Sequence, residues 1–211
     1  MVSLQGNIGR QQPPSPVNYG LLTFAGCLFL FQFANASMLP LAGEELVYRN
    51  GTGASPIVSA LIIVPQIVVV LSAPWAGRKA QSWGRRPLLL LGFSALTMRA
   101  LLFAVTTNPL LLICIQLLDG ASSSTLGVLT ALIIADLTKG TGRFNLAQGF
   151  VGTLSGIGAS LSTTFFSLVS GNFGGAIGFI SIACVALSLV LIVWFWMPET
   201  MPSNTKPHAR L

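Results

Sequence analysis

Six long segments of this chain are mainly apolar and contain almost no charged residue. A helix needs about 20 mainly apolar residues to cross the hydrocarbon layer of a bilayer, which is about 30 Å thick. Each segment is long enough for one crossing, so the sequence predicts an all-α membrane protein with six transmembrane helices. The predicted spans are residues 19 to 41, 56 to 76, 87 to 106, 109 to 135, 145 to 169 and 176 to 197.

The remaining residues form short links and two tails. We predict a flexible cytoplasmic tail over residues 1 to 18, a six-helix transmembrane domain over 19 to 197 and a cytoplasmic tail over 198 to 211. Only 8% of the residues are charged, against roughly 25% in soluble domains. Residues 144 to 198 contain no charge at all, and the Gly- and Asn-rich stretch 170 to 175 is the predicted turn within them.

The net charge of +6 comes from basic residues that cluster in alternate links. Lys and Arg accumulate on the cytoplasmic side of membrane proteins. We therefore predict cytoplasmic termini, a plasma or inner membrane location and the lipid bilayer, not nucleic acid, as the partner of these charges. Arg49 is then the sole cation of the outer links, and the inner cations are Arg10, Arg78, Lys79, Arg85, Arg86, Lys139, Arg143, Lys206 and Arg210.

The link after the second predicted span has a recognisable pattern, from Gly77 to Arg86. It resembles the loop signature of the major facilitator superfamily, which joins the second and third helices of a six-helix half. Four residues match the signature, namely Gly77, Gly84, Arg85 and Arg86. Gln81 stands where the family has Asp, and Ser82 stands where it has a basic residue. The resemblance implies a cytoplasmic gating loop with a weakened charge-paired latch, while an ordinary basic turn is the alternative.

Two other stretches resemble the C-terminal half of such a transporter. In N-terminal halves the fourth helix typically carries a motif with Arg, Gln and Gly. Here Gln116 replaces that Arg and Asp119 replaces that Gln, while Gly120 matches the Gly of the motif. The missing Arg indicates a C-terminal half. The sequence from Met197 to Thr200 resembles the exit from the family's last helix. The resemblance implies two three-helix inverted repeats and a substrate site shared with a second half. The implied partner is a second six-helix half or a second copy, because 211 residues are about half of the implied length. The chain would then be a fragment, a truncated product or a pairing subunit.

Arg99 and Asp119 are the two charged residues that fall deep inside predicted spans. A charge at bilayer depth costs at least about 2.5 to 3.5 kcal/mol and is commonly functional. At 1.5 Å per residue, Arg99 lies about 18 Å from the inner surface and Asp119 about 15 Å from the outer one. These depths nearly coincide, so we predict an ion pair. It serves either proton coupling or the structural joining of two helices. Asp136, near the next link, is expected to pair with Lys139 or Arg143.

Several amide side chains also fall inside the predicted spans. They either line a substrate cavity or hold helices together by hydrogen bonds. The resemblance implies that the first, second, fourth and fifth helices face the cavity, with Arg99 supporting from behind. On that basis the candidates for the substrate and proton pathway are Gln32, Asn35, Gln66, Gln116, Asp119 and Arg99.

Enzyme chemistry is disfavoured by the residues that the spans lack. The single His, His208, lies in the C-terminal tail, so no His-ligated metal or Ser-His pair is expected at depth. We predict no catalytic residue, metal or cofactor. The leading hypothesis is a half-unit of a secondary active transporter that carries a small organic solute, with proton-coupled efflux by alternating access. The alternative is a truncated or non-transporting six-helix membrane protein with a scaffold role.

Overall fold

The computed structural model describes residues 19–196, apart from the side chains of Asn50, Thr52 and Trp196. All regular structure in this part of the chain is helical, which confirms the predicted fold class. The predicted tails and Met197 lie outside the described residues. The helices are α1 (Tyr19–Asn35), α2 (Met38–Asn50), a 3-10 turn (Gly51–Ala54), α3 (Ser55–Ser82), α4 (Arg85–Val105), α5 (Pro109–Thr138), α6 (Phe144–Phe173) and α7 (Gly175–Trp196).

Five helical segments of the described chain are long and apolar enough to cross a membrane. The first is formed by α1 and α2 together, over Tyr19–Arg49, and the others are α3, α4, α5 and most of α7. The remaining long helix, α6, has 30 residues and no charge. Its Gly, Ser and Thr residues make it less apolar than the other five. The fifth predicted span, residues 145 to 169, is therefore present as a helix of spanning length with a more polar composition.

The first predicted span ends too early, at residue 41. After a short turn at Ala36 and Ser37 the chain becomes helical again and stays so to Asn50. Glu45 and Arg49 form an ion pair one helical turn apart, an arrangement that favours the helix. Much of the predicted outer link is consequently helix.

Two glycines make sharp turns where the predicted links are longer. Gly84 joins α3 to α4 with a φ of 96°, and Gly174 joins α6 to α7 with a φ of 93°. Side chains other than Gly rarely accept such angles. The prediction of a loop over residues 77 to 86 is wrong, because α3 continues to Ser82. The turn predicted over residues 170 to 175 consists of Gly174 alone, because α6 continues to Phe173 and α7 begins at Gly175.

Helix packing follows a two-fold pattern between the first three spans and the last three. In this pattern α5 is the counterpart of α1, and α3 is the counterpart of α6. Accordingly, α1 packs against α6, and α5 packs against α3. The contact of α4 with α5 likewise corresponds to that of α7 with α1, and α4 packs against α7. Three spans reverse the direction of the chain, so the second set is inverted. The predicted inverted repeats are therefore visible in the packing.

Two of these helix pairs approach closely at a glycine. A Cβ atom added to Gly158 of α6 would lie 2.5 Å from the Phe29 carbonyl oxygen of α1. A Cβ atom added to Gly120 of α5 would lie 2.6 Å from the Pro65 carbonyl oxygen of α3. Small residues allow membrane helices to make such backbone contacts.

Candidate functional site

The central feature of the bundle is a polar cluster formed by Arg99, Asp119 and Asn35. Arg99 lies on α4 and is only 1% exposed. Its Nη1 atom donates to Asp119 Oδ1 on α5 and to Asn35 Oδ1 on α1, the latter over 2.8 Å. The predicted ion pair is present, and Asn35 is its third member. One guanidinium group thus joins three helices.

The two charges of this pair differ in exposure. The side chain of Asp119 is 18% exposed, whereas that of Arg99 is 2% exposed. Ser123, one turn further along α5, approaches the same Asp119 oxygen at 3.5 Å. The Nε atom of Arg99 is buried and finds no hydrogen-bond partner among the described residues. The carboxylate is therefore the more accessible half of the pair.

A cleft of about 340 Å³ adjoins the cluster, between α1, α5 and α6. Gln32 and Asn35 line it, as the sequence predicts for a cavity, and so does Ser123, which contacts Asp119. Sequence reasoning missed its other polar residues, although a search for amides in the fifth span would have found Gln148. These additional lining residues are Thr130, Gln148 and Ser155.

Gln66 and Gln116 do not join this cleft. Gln116 is fully buried, and its Nε2 atom donates to the Leu61 carbonyl oxygen of α3 over 2.8 Å. Gln66 is exposed on the surface of α3. The predicted grouping of these two amides with Gln32 and Asn35 is not observed, because Gln116 faces the α3–α5 contact and Gln66 faces away from the bundle.

The signature residues lie at the end of α3 and the start of α4. Gly77 and Gln81 are within α3, and Gly84 makes the turn. Arg85 donates through Nε to Asp136 Oδ2 over 3.1 Å and through Nη1 to the Ala80 carbonyl oxygen. Arg86 donates to the Trp194 carbonyl oxygen of α7.

The predicted pairing of Asp136 with Lys139 or Arg143 is wrong. α5 continues to Thr138, which keeps Asp136 on the helix and directs it towards the junction of α3 and α4. Asp136 there meets Arg85, which is only 7% exposed. The chain thus has a charge pair at the junction of α3 and α4 even though Gln81 replaces the Asp of the family signature.

Comparison with known proteins is consistent with this arrangement. The profile described as Major Facilitator Superfamily matches residues 21–210. The chain belongs to the major facilitator superfamily. An uncharacterized MFS-type transporter of Mycobacterium tuberculosis strain H37Rv is 37% identical over 193 residues, which are 92% of this chain and 46% of that protein.

Two relatives have more specific names. The class B tetracycline resistance protein of Escherichia coli is 31% identical over 173 residues, or 80% of this chain and 39% of that protein. The multidrug resistance protein fnx1 of Schizosaccharomyces pombe is 27% identical, over 75% of this chain and 29% of that protein. The chain therefore spans less than half of the length of these curated relatives.

Family membership gives the functional class of the chain. It is an integral, multi-pass membrane protein of a transporter family that moves small molecules, which implies a non-enzymatic role. The polar cluster and the cleft lie together at the centre of this facilitator chain.

Proposed function

We propose that this facilitator chain is a half-unit of a secondary active transporter that exports a small organic solute in exchange for protons. It works by alternating access together with a second six-helix half or a second copy of itself. The observation that carries the proposal is the buried Arg99–Asp119 pair, bound to Asn35 at the edge of the cleft.

Asp119 is the proposed proton carrier. While it is ionised, its charge is balanced by Arg99 in a region where an unpaired charge is costly. Protonation removes the ion pair and leaves Arg99 Nη1 with its bond to Asn35. Because Asn35 lines the cleft, the protonation state of Asp119 changes how α1 and α4 are held beside the solute. Proton and solute binding are coupled in this way.

The solute class and the direction of transport are supported by the names of relatives. A tetracycline resistance protein and a multidrug resistance protein both match most of this chain. The polar lining of the cleft by Gln32, Asn35 and Gln148 suits hydrogen bonding to a small organic molecule. As part of the proposal, we interpret the resistance in these names as efflux of such molecules and extend it to this chain.

The cytoplasmic charge pair is the proposed gate. Arg85 connects the start of α4 to Asp136 at the end of α5, and Arg86 connects α4 to α7. In the proposed orientation, with both termini in the cytoplasm of a cell with a plasma or inner membrane, these contacts close the inner end of the half. Gly77, Gln81 and Gly84 shape the same junction.

A purely structural role for the Arg99–Asp119 pair is the competing explanation. The near-complete burial of Arg99 suits an ion pair that only holds α4 to α5, in a six-helix protein that does not transport. The two explanations differ in what they expect when Asp119 loses its ability to take up a proton.

The test is flux in proteoliposomes. We expect the reconstituted chain to move tetracycline or ethidium, used as fluorescent probes, when a pH gradient is imposed. Asp119→Asn keeps a hydrogen-bond acceptor for Arg99 but cannot titrate, so gradient-driven flux should fall to the level of protein-free liposomes. Glu44→Gln, which neutralises an exposed carboxylate of α2, is the matched control and should retain the flux.

Insertion and folding of each variant are checked by size-exclusion chromatography before reconstitution. Gradient-driven flux that persists in Asp119→Asn would contradict the coupling role and favour the structural explanation. Absence of flux from the unmodified chain, alone and with a co-expressed facilitator half, would contradict the transport proposal.

A further inference from the structure

A proline interrupts the hydrogen bonding of α3 in the middle of the membrane span. Pro65 lies inside the helix and has no amide hydrogen, so the carbonyl of Leu61, four residues earlier, loses its usual donor. Inside a bilayer no water is present to replace that bond, and neighbouring helices must supply the missing partner. The Leu61 carbonyl therefore needs a donor from outside α3.

Gln116 of α5 supplies this donor. Its Nε2 atom lies 2.8 Å from the Leu61 carbonyl oxygen, and the side chain is fully buried. Its Oε1 atom has no hydrogen-bond partner among the described residues. This buried amide group thus makes one hydrogen bond within the part of the chain that the structure describes. We infer that Gln116 is a positioning residue that replaces the amide hydrogen missing at Pro65 and so fixes α3 against α5.

The contact continues along the same face of α5 at intervals of one turn. Gly120 follows Gln116 and allows the Pro65 carbonyl oxygen to come within 2.6 Å of where a Cβ atom would stand. Ser124 follows Gly120, and its hydroxyl lies 2.7 Å from that of Ser72 on α3. Three successive turns thus join the two helices, and we infer that α3 and α5 move as one unit.

This inference goes beyond the proposed transport function. Gln116 then does not belong to the predicted substrate pathway, and its side chain serves to hydrogen-bond the backbone of α3. It also does not depend on flux, so its failure and the failure of the transport proposal are distinguishable.

The test is a rescue experiment on the purified full chain in detergent. Gln116→Leu leaves the Leu61 carbonyl without its donor, and we expect it to lower the thermal unfolding midpoint by roughly 4 to 8 °C. Adding Pro65→Ala restores an amide hydrogen four residues after Leu61, so the double variant should recover most of the loss. Pro74→Ala, which changes the other proline inside α3, is the matched control and should give no recovery.

Hydrogen exchange gives a second readout that a general loss of packing would not reproduce. Exchange over residues 58–70 should rise in Gln116→Leu and return towards the unmodified level with Pro65→Ala only. If Gln116→Leu alone does not fold, recovery of a folded, monodisperse protein by Pro65→Ala, and not by Pro74→Ala, is the expected rescue. Equal recovery by both prolines, or an unchanged midpoint in Gln116→Leu, would overturn the inference.

Discussion

At the scale of single residues, Arg99 is bound to the side chains of two other helices through one nitrogen atom. Asp119 neutralises its charge and Asn35 accepts a further hydrogen bond. The guanidinium group stays charged at any accessible pH, whereas a carboxylate can be neutralised by taking up a proton. The two partners are therefore not equivalent when one of them is removed.

This difference predicts an asymmetry between two truncations. Asp119→Leu leaves a buried permanent charge, and breaking a buried pair in this way costs about 3 to 5 kcal/mol. Arg99→Met leaves a carboxylate that can become neutral, so we expect a smaller loss of stability. The variant with both changes should be more stable than Asp119→Leu alone. Thermal unfolding midpoints of the three proteins measure this order, and a double variant less stable than either single one would contradict it.

Sequence reasoning located the Arg99–Asp119 pair because depth along two consecutive helices depends only on residue count. It did not find Asn35 as the third member, since contacts between helices distant in the chain depend on how the bundle packs. Asp136 shows the same limit. Its neighbours in sequence are Lys139 and Arg143, but the extension of α5 directs it to Arg85.

At the scale of helices, composition located the spans well and their ends less well. α3 continues for six residues past the predicted end at residue 76 and carries the signature residues up to Ser82. The Glu45–Arg49 pair favours a helix in α2 where a loop is predicted. Polar residues at a membrane surface do not end a helix by themselves, because water satisfies their side chains. Gly84 and Gly174, each with a positive φ, make the sharp turns instead.

The close contact of α3 with α5 predicts an engineered disulfide. The hydroxyls of Ser72 and Ser124 lie 2.7 Å apart, so a Cys pair at these positions comes within disulfide range. In a background in which Cys27, Cys114 and Cys184 are replaced by Ser, we expect Ser72→Cys with Ser124→Cys to cross-link upon mild oxidation. Loss of labelling by a maleimide reports the bond.

The matched control moves one Cys by a single position. Ser123 faces Asp119 instead of α3, so Ser72→Cys with Ser123→Cys should stay reduced under the same conditions. Equal cross-linking of both pairs would indicate that α3 and α5 slide or rotate against each other, contrary to the rigid contact.

At the scale of the whole chain, the paired packing of α1 with α6 and of α5 with α3 produces a half with two inverted sets of helices. Much of α3 is exposed within this half. Only 11% of its most apolar stretch is buried by other residues, against 44% for α4. Exposure of this kind could not be predicted from hydropathy, because residues that face lipid and residues that face another protein are equally apolar.

The positive-inside assignment predicts which links face the cytoplasm. Thr107, between α4 and α5, and Thr141, between α5 and α6, are both exposed. In the same Cys-free background, we expect an impermeant maleimide to label Thr107→Cys in intact cells. Thr141→Cys should be labelled only after the membrane is opened. The reverse pattern would invert the orientation, and labelling of both in intact cells would contradict the α5 crossing.

The Arg85–Asp136 bridge has a consequence for the synthesis and membrane insertion of the protein. The two residues are 51 positions apart, so Arg85 and α4 are synthesised before Asp136. During that interval Arg85 is an unneutralised cation, and in the proposed orientation it helps to retain the start of α4 in the cytoplasm. Once α5 is complete, the same cation is neutralised and becomes part of the tertiary structure. In the proposed orientation Arg85 thus acts first in setting topology and later, through Asp136, in holding the finished fold.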